Sequence, residues 1–225
     1  MRPNETKDDK VEEQHTKHIA ILALAATIIA PDAQAQDVRI TTFKEDATFT
    51  LNGRTFTIAR SQDTTAMVRG EFARTSRACP PDCIQPMVIA DGVTTVGELE
   101  MLAFLEDNVT NRTGLLLDTR GPAEFGTGSI PGAVNVPFET LSADNRYRDD
   151  ILRALGAVDV AGGLDFTNAM SLTLFSGGVW SSDAPDAVDY LLAAGYPPEK
   201  LFYYRGGLQA WVHVGLTLHQ TQNPG

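Results

Sequence analysis

A short loop at residues 176–182 combines residue types that suit nucleophile or anion chemistry. It reads Ser-Gly-Gly-Val-Trp-Ser-Ser, and it lies between an apolar run that ends at Phe175 and a helical pattern over 184–194. A glycine-containing loop that enters a helix N-terminus directs backbone N–H groups toward one point and binds anions. A cysteine at the head of such a loop would have a lowered pKa and act as a nucleophile. Ser176 occupies that position, so the surroundings suit a thiolate while the side chain is a hydroxyl.

Three further segments of the chain carry recognisable motifs. An apolar run at 115–120 ends in Asp-x-Arg, formed by Asp118 and Arg120. The stretch 122–137 contains Glu-Phe and then Gly-Ser-Ile-Pro-Gly-Ala-Val-Asn-Val-Pro. Near the end of the chain, another apolar run leads into Arg-Gly-Gly-Leu-Gln-Ala-Trp, which begins at Arg205.

The combined pattern over about 94–218 resembles the rhodanese-like family. The resemblance implies a parallel α/β sheet flanked by helices, and a cysteine at the end of a core strand that carries sulfane sulfur. In an exported branch of the family the loop often reads Cys-x-Gly-x-Trp-Cys. Here Gly178 and Trp180 are retained, while Ser176 and Ser181 replace the two cysteines. Natural decay of the site is the favoured interpretation, and engineered replacement to trap a complex is the alternative.

The hydroxyl of Ser176 cannot replace a thiol in persulfide chemistry. An alcohol forms no stable adduct of the S–S type, and its pKa lies far above neutrality. One hypothesis is therefore a binding or regulatory module, whose loop takes a small oxyanion, a sulfur compound or a periplasmic protein. The other hypothesis is an enzyme, a sulfurtransferase or thiol redox protein that uses Cys79 or Cys83. Neither hypothesis requires a cofactor or a metal.

Each candidate site residue has two interpretations. Trp180 lines a ligand pocket or packs on the loop as a lid, and the loop serines bind an anion or are solvated remnants. Asp118 and Arg120 supply positive potential near the loop or form a structural ion pair, and Arg205 contacts the loop or is a surface cation. The candidate anion-binding loop comprises Ser176, Gly177, Gly178, Val179, Trp180, Ser181 and Ser182.

The two cysteines of the chain lie in Cys-Pro-Pro-Asp-Cys, at Cys79 and Cys83. A structural disulfide is the favoured interpretation, although so small a ring contributes only about 2 kcal/mol. A free redox dithiol is the first alternative. A metal site is the second, but two cysteines without a nearby histidine do not complete a tetrahedral zinc site. The stretch 75–86 also resembles a segment that precedes the domain in some exported bacterial members of the family.

Length, charge and the N-terminal pattern limit the remaining possibilities. A chain of 225 residues predicts one domain with an appendage. A formal charge of −11 argues against nucleic acid and anionic membranes as partners. An apolar run at 19–30, too short for a comfortable membrane span, precedes Ala-Gln-Ala at 33–35. This predicts a signal peptide over 1–35 and a periplasmic or secreted protein with no stable membrane span after cleavage.

The acidic stretch before that run departs from the usual signal pattern. A start codon assigned too far upstream would explain it, and a buried N-terminal helix is the alternative interpretation. After the signal, the sequence predicts an appendage over 36–93 and a rhodanese-like domain over 94–225. The appendage contains a β-hairpin around Asn-Gly at 52–53, a pair that favours a type I′ turn and sets Phe49 opposite Phe56.

Strands and helices alternate through the second domain, which predicts a parallel α/β sheet. The first helix is expected to open with a capping box at Thr95 and to carry Leu99 on its apolar face. Strands are predicted at 115–118, 134–136, 172–175 and 201–204. Further helices are predicted at 122–126, 149–155, 184–194 and 207–212.

Overall fold

The computed structural model describes residues 37–219, so the predicted signal peptide lies outside the described residues. Strands and helices alternate as the sequence predicts. The strands are β1 Asp46–Leu51, β2 Arg54–Ala59, β3 Thr94–Val96, β4 Gly114–Asp118, β5 Val134–Asn135, β6 Val158–Val160, β7 Gly163–Asp165, β8 Ser171–Phe175 and β9 Leu201–Tyr204. The α-helices are α1 Glu98–Phe104, α2 Pro122–Thr127, α3 Arg148–Ala154, α4 Asp183–Ala193 and α5 Gly207–His213. None of the helices within 37–219 is long and apolar enough to cross a membrane.

The main sheet has five parallel strands in the order β3-β9-β8-β4-β5. This confirms the predicted fold class, a parallel sheet flanked by helices with a small N-terminal hairpin. Strands β8 and β4 are nearly continuous apolar runs because both of their faces are covered. Their carboxyl ends meet at one edge of the sheet, which is where ligands bind in open parallel sheets.

Two hydrophobic cores cover the two faces of the sheet. Neighbouring strand residues point to opposite faces, so Leu174 and Tyr203 lie in one core while Phe175 and Tyr204 lie in the other. The first core also contains buried residues of α3 and α4. The second contains buried residues of α1, α5 and the hairpin.

The hairpin formed by β1 and β2 has the predicted register, with Phe49 opposite Phe56 and ring centroids 5.1 Å apart. Asn52 and Gly53 have φ values of 51° and 77°, as a type I′ turn requires. A two-stranded hairpin is marginal alone, and here Phe49 and Ile58 are buried in the second core. The hairpin is therefore stabilised by packing against α1 and α5.

The predicted start of α1 was wrong by two residues. Thr95 lies in β3, whose pairing with β9 takes precedence over the local helix signal. Gly97 is the N-cap instead, and its N–H donates to the Glu100 carboxylate at 3.1 Å. Leu99 is consequently 51% exposed rather than on the apolar face.

The two short strands β6 and β7 were also missed, because their exposed residues give no clear apolar alternation.

Candidate functional site

The loop after β8 is fixed against the first turn of α5. The carbonyls of Ser176 and Gly177 accept hydrogen bonds from the N–H groups of Leu208 and Gln209, at 3.0 and 2.9 Å. This close approach requires Gly207, which has a φ of +56°. A Cβ atom there would lie 2.6 Å from the Ser176 carbonyl oxygen. Ser176 itself is only 2% exposed, so its hydroxyl lies at the base of the loop.

Trp180 folds back over the loop. A Cβ atom on Gly177 would lie 2.7 Å from the indole ring, so the glycine makes room for the ring. The indole N–H donates to Gln209 Oε1 at 2.8 Å, and the Arg77 guanidinium carbon lies 3.7 Å from the ring centroid. Trp180 therefore packs on the loop as a lid. It also lines a pocket beside the loop.

Several backbone donors of the loop remain available for a ligand. Ser181 N–H donates to the Gly178 carbonyl at 3.0 Å, and Asp183 N–H lies 3.3 Å from Ser181 Oγ. The N–H groups of Gly177, Val179 and Trp180 donate to no acceptor among residues 37–219. Within the described residues, the loop thus has unpaired backbone donors next to the N-terminus of α4.

Negative charge next to the same helix terminus opposes an anion. The pKa of Asp183 is raised to about 6, chiefly by burial and further by the carboxylates of Glu124, Glu139 and Asp186. The Ser181 hydroxyl only partly offsets this. Above pH 6 Asp183 is therefore ionised beside the loop donors, and it repels a small oxyanion from them.

The Asp118–Arg120 pair forms a buried structural network. Arg120 donates to the Asp118 carboxylate from Nε at 2.9 Å and from Nη2 at 2.5 Å, and both side chains are buried. Ser129 Oγ donates to the same carboxylate at 2.7 Å, and the Gly128 carbonyl accepts a further bond from Arg120 at 2.8 Å. These contacts hold the ends of β4 and α2 together, and they use most of the positive charge that the sequence motif offered to the loop.

Arg205 reaches the loop through an intermediate residue. Its Nε donates to the Gln85 carbonyl at 2.9 Å, and the Gln85 N–H donates to the Val179 carbonyl at 2.8 Å. The segment that contains Gln85 was not predicted to belong to the site. Its cysteines and its resemblance to a segment of exported family members are recognisable in the sequence, but it has no regular periodicity from which its position could be inferred.

Two concavities flank Trp180. The first, of about 340 Å³, is lined by Glu71, Phe72, Arg120, Ala123, Glu124, Thr127, Gly177 and Trp180. The second, a groove of about 730 Å³, is lined by Arg74, Thr75, Ser76, Arg77, Cys79, Asp82, Cys83, Ile84, Val179, Trp180 and Gln209. Cys79 and Cys83 form a disulfide with a Cα–Cα distance of 4.7 Å. Within 37–219 no group of three or more His, Cys, Asp or Glu side chains could hold a metal ion.

Comparison with known proteins agrees with this architecture. A model of the rhodanese-like domain matches residues 100–213, and the chain belongs to the rhodanese-like family. The tRNA 2-selenouridine synthases of Bordetella bronchiseptica and Bordetella petrii are 35% and 33% identical to it over 102 residues. That match covers 43% of this chain and 25% of each relative, so the chain spans about a quarter of the length of these curated relatives.

Solved structures of sulfurtransferases are also similar to the domain. The human single-domain sulfurtransferase is 21% identical, with 53% of this chain and 96% of that chain covered and a TM-score of 0.38. The thiosulfate sulfurtransferase of Pseudomonas aeruginosa is 22% identical, with 58% and 21% covered and a TM-score of 0.39.

Proposed function

We propose that this rhodanese-like protein does not transfer sulfur and acts as an exported binding module. The observation that carries the proposal is Ser176, a buried hydroxyl at the carboxyl end of β8. The sequence resemblance aligns it with the family cysteine, and an alcohol cannot hold sulfane sulfur as a persulfide. Export rests on the signal pattern over 1–35 in the sequence.

The site favours a group on a protein partner over a free oxyanion. The 340 Å³ pocket beside the loop has walls formed by Phe72, Ala123 and Trp180, which suit an apolar side chain. Of the charged residues in the lining, Glu71 is paired with Arg77, and Arg120 is paired with Asp118. Glu124 and, above pH 6, Asp183 supply the remaining negative charge beside the pocket. A neutral or cationic group is therefore accepted more readily than sulfate or thiosulfate.

Two other functions receive less support. The curated relatives act on tRNA by their names, but a formal charge of −11 opposes binding to a polyanion. Sulfur transfer through Cys79 or Cys83 requires a free thiol, and the two sulfurs are bonded to each other.

The test is sulfur transfer from thiosulfate to cyanide by the purified protein. We expect background turnover, because no loop thiol exists to accept the sulfur. Ser176→Cys supplies that thiol and is expected to gain one sulfur atom from thiosulfate by mass spectrometry. Ser61→Cys, at an exposed position outside the loop, is the control for a surface thiol. The proposal would be disproved if the unaltered protein transferred sulfur above background and as fast as Ser176→Cys does.

A further inference from the structure

The Cys79–Cys83 disulfide forms one wall of the 730 Å³ groove, and Val179 and Trp180 of the family loop form part of its lining. Cys79 is an exposed residue, Cys83 is half-buried, and both line the groove, so an incoming group reaches the disulfide from the groove. Neither cysteine belongs to a hydrophobic core of the described residues. This disulfide therefore lies at a ligand-accessible surface rather than inside the fold.

The segment that carries the disulfide is held in place by other contacts. Arg77 stacks on Trp180 and forms an ion pair with Glu71. Gln85 is bonded to the loop through its N–H group, and Gln209 Nε2 donates to the Phe72 carbonyl at 3.0 Å. A ring of five residues, closed at a sequence separation of four, adds little chain-entropy stabilisation. The disulfide therefore contributes little to holding this segment in place.

The charge of the groove does not oppose an attacking thiolate. Its described lining includes the cations Arg74 and Arg77, which both pair with Glu71, and the carboxylate of Asp82. These charges balance, so the groove does not repel the thiolate, which is the reactive species in exchange. Ile84 beside the disulfide is 80% exposed, and with Trp180 it offers apolar contact to residues that flank a cysteine.

We propose that Cys79–Cys83 is a thiol–disulfide exchange site for a peptide dithiol that enters this groove. A thiolate of the peptide attacks Cys79 Sγ, the protein S–S bond breaks, and Cys83 leaves as a thiolate. The second peptide thiolate then attacks the mixed disulfide and releases Cys79. The peptide dithiol is oxidised to a disulfide and the protein disulfide is reduced to a dithiol, with the two peptide protons transferred to the released sulfurs.

This inference does not depend on the proposed binding function, because its reacting atoms lie outside loop 176–182. Sulfur transfer measured with thiosulfate and cyanide tests Ser176, whereas peptide oxidation tests the disulfide. The failure of one can therefore be distinguished from the failure of the other.

The experiment mixes the native oxidised protein with excess Cys-x-x-Cys peptide, then quenches with acid and counts alkylated thiols on both molecules. We expect the protein to gain two thiols while the peptide loses two, with the folded circular dichroism spectrum retained. Exchange with glutathione at equal thiolate concentration is expected to be slower. A disulfide that persists under excess peptide and opens only in denaturant would overturn the proposal.

Two sets of variants test the apolar contact with the peptide and identify the cysteine that forms the mixed disulfide. Ile84→Gln should slow exchange with the peptide about fivefold, as for the loss of one apolar contact, and leave exchange with glutathione unchanged. Met67→Gln, at an exposed apolar position outside the groove, is the matched control. With oxidised peptide, Cys83→Ser should accumulate a mixed disulfide through Cys79 faster than Cys79→Ser does through Cys83. Equal rates for peptide and glutathione, or insensitivity to Ile84→Gln, would rule out a peptide groove.

Discussion

Replacing Asp183 by asparagine tests whether the helix terminus beside the loop carries an unfavourable charge. Asp183 is the first residue of α4, where the helix dipole favours a carboxylate. Its pKa is nonetheless raised from 3.8 to about 6, because burial outweighs the dipole and nearby carboxylates add repulsion. The folded state therefore binds the Asp183 proton more tightly than the unfolded state does.

This shift destabilises the folded protein at neutral pH. Below about pH 3 the carboxyl is protonated in both states and contributes nothing. As pH rises from about 3 to 6 the unfolded state ionises first, so the free energy of unfolding falls, and well above pH 6 the loss stays constant. The full shift corresponds to about 3 kcal/mol, and screening of a partly solvated carboxyl reduces this to about 1–2 kcal/mol.

Asp183→Asn keeps the shape of the side chain and removes the charge. We expect the variant to be more stable than the unaltered protein by about 1–2 kcal/mol at pH 7.5 and nearly equal to it at about pH 3. Urea unfolding at both pH values measures the difference. Asp189→Asn, at an exposed position of the same helix, is the control and should show no such pH dependence. A stabilisation of equal size at both pH values would refute the reasoning, as would destabilisation at pH 7.5.

Two further substitutions test the contacts that shape the site. Gly207→Ala should lower the free energy of unfolding by about 2–3 kcal/mol in urea titrations, because its φ is +56° and a Cβ atom would meet the Ser176 carbonyl. Gly126→Ala, where a Cβ atom meets nothing within 4 Å, is the control, and equal effects would contradict the clash. Asp118→Asn should cost about 3–5 kcal/mol by thermal or urea unfolding, since Arg120 would be buried without its counter-ion. A loss below 1 kcal/mol would show that the pair is dispensable.

The sequence by itself determined the hairpin register, most of the helices and the strands β1, β2, β4, β5, β8 and β9. These depend on short-range patterns: apolar runs for β4 and β8, and the Asn52-Gly53 turn that sets Phe49 opposite Phe56. The combined motif also identified the family, because a strand, a turn motif and a glycine pair at fixed offsets rarely occur together. The loop that precedes α4 was predicted in the same way, from its glycines between an apolar run and a helical pattern.

Only the tertiary structure decided what surrounds that loop. Arg77 contacts Trp180 across about a hundred residues of chain, and the disulfide shares a groove with Val179. The raised pKa of Asp183 arises from burial and from carboxylates on other segments. The segment at 60–92 is largely irregular and has no periodicity, so no local pattern predicts where it packs. Its position is set by long-range backbone hydrogen bonds and by packing on Trp180, which exist only once the sheet has formed.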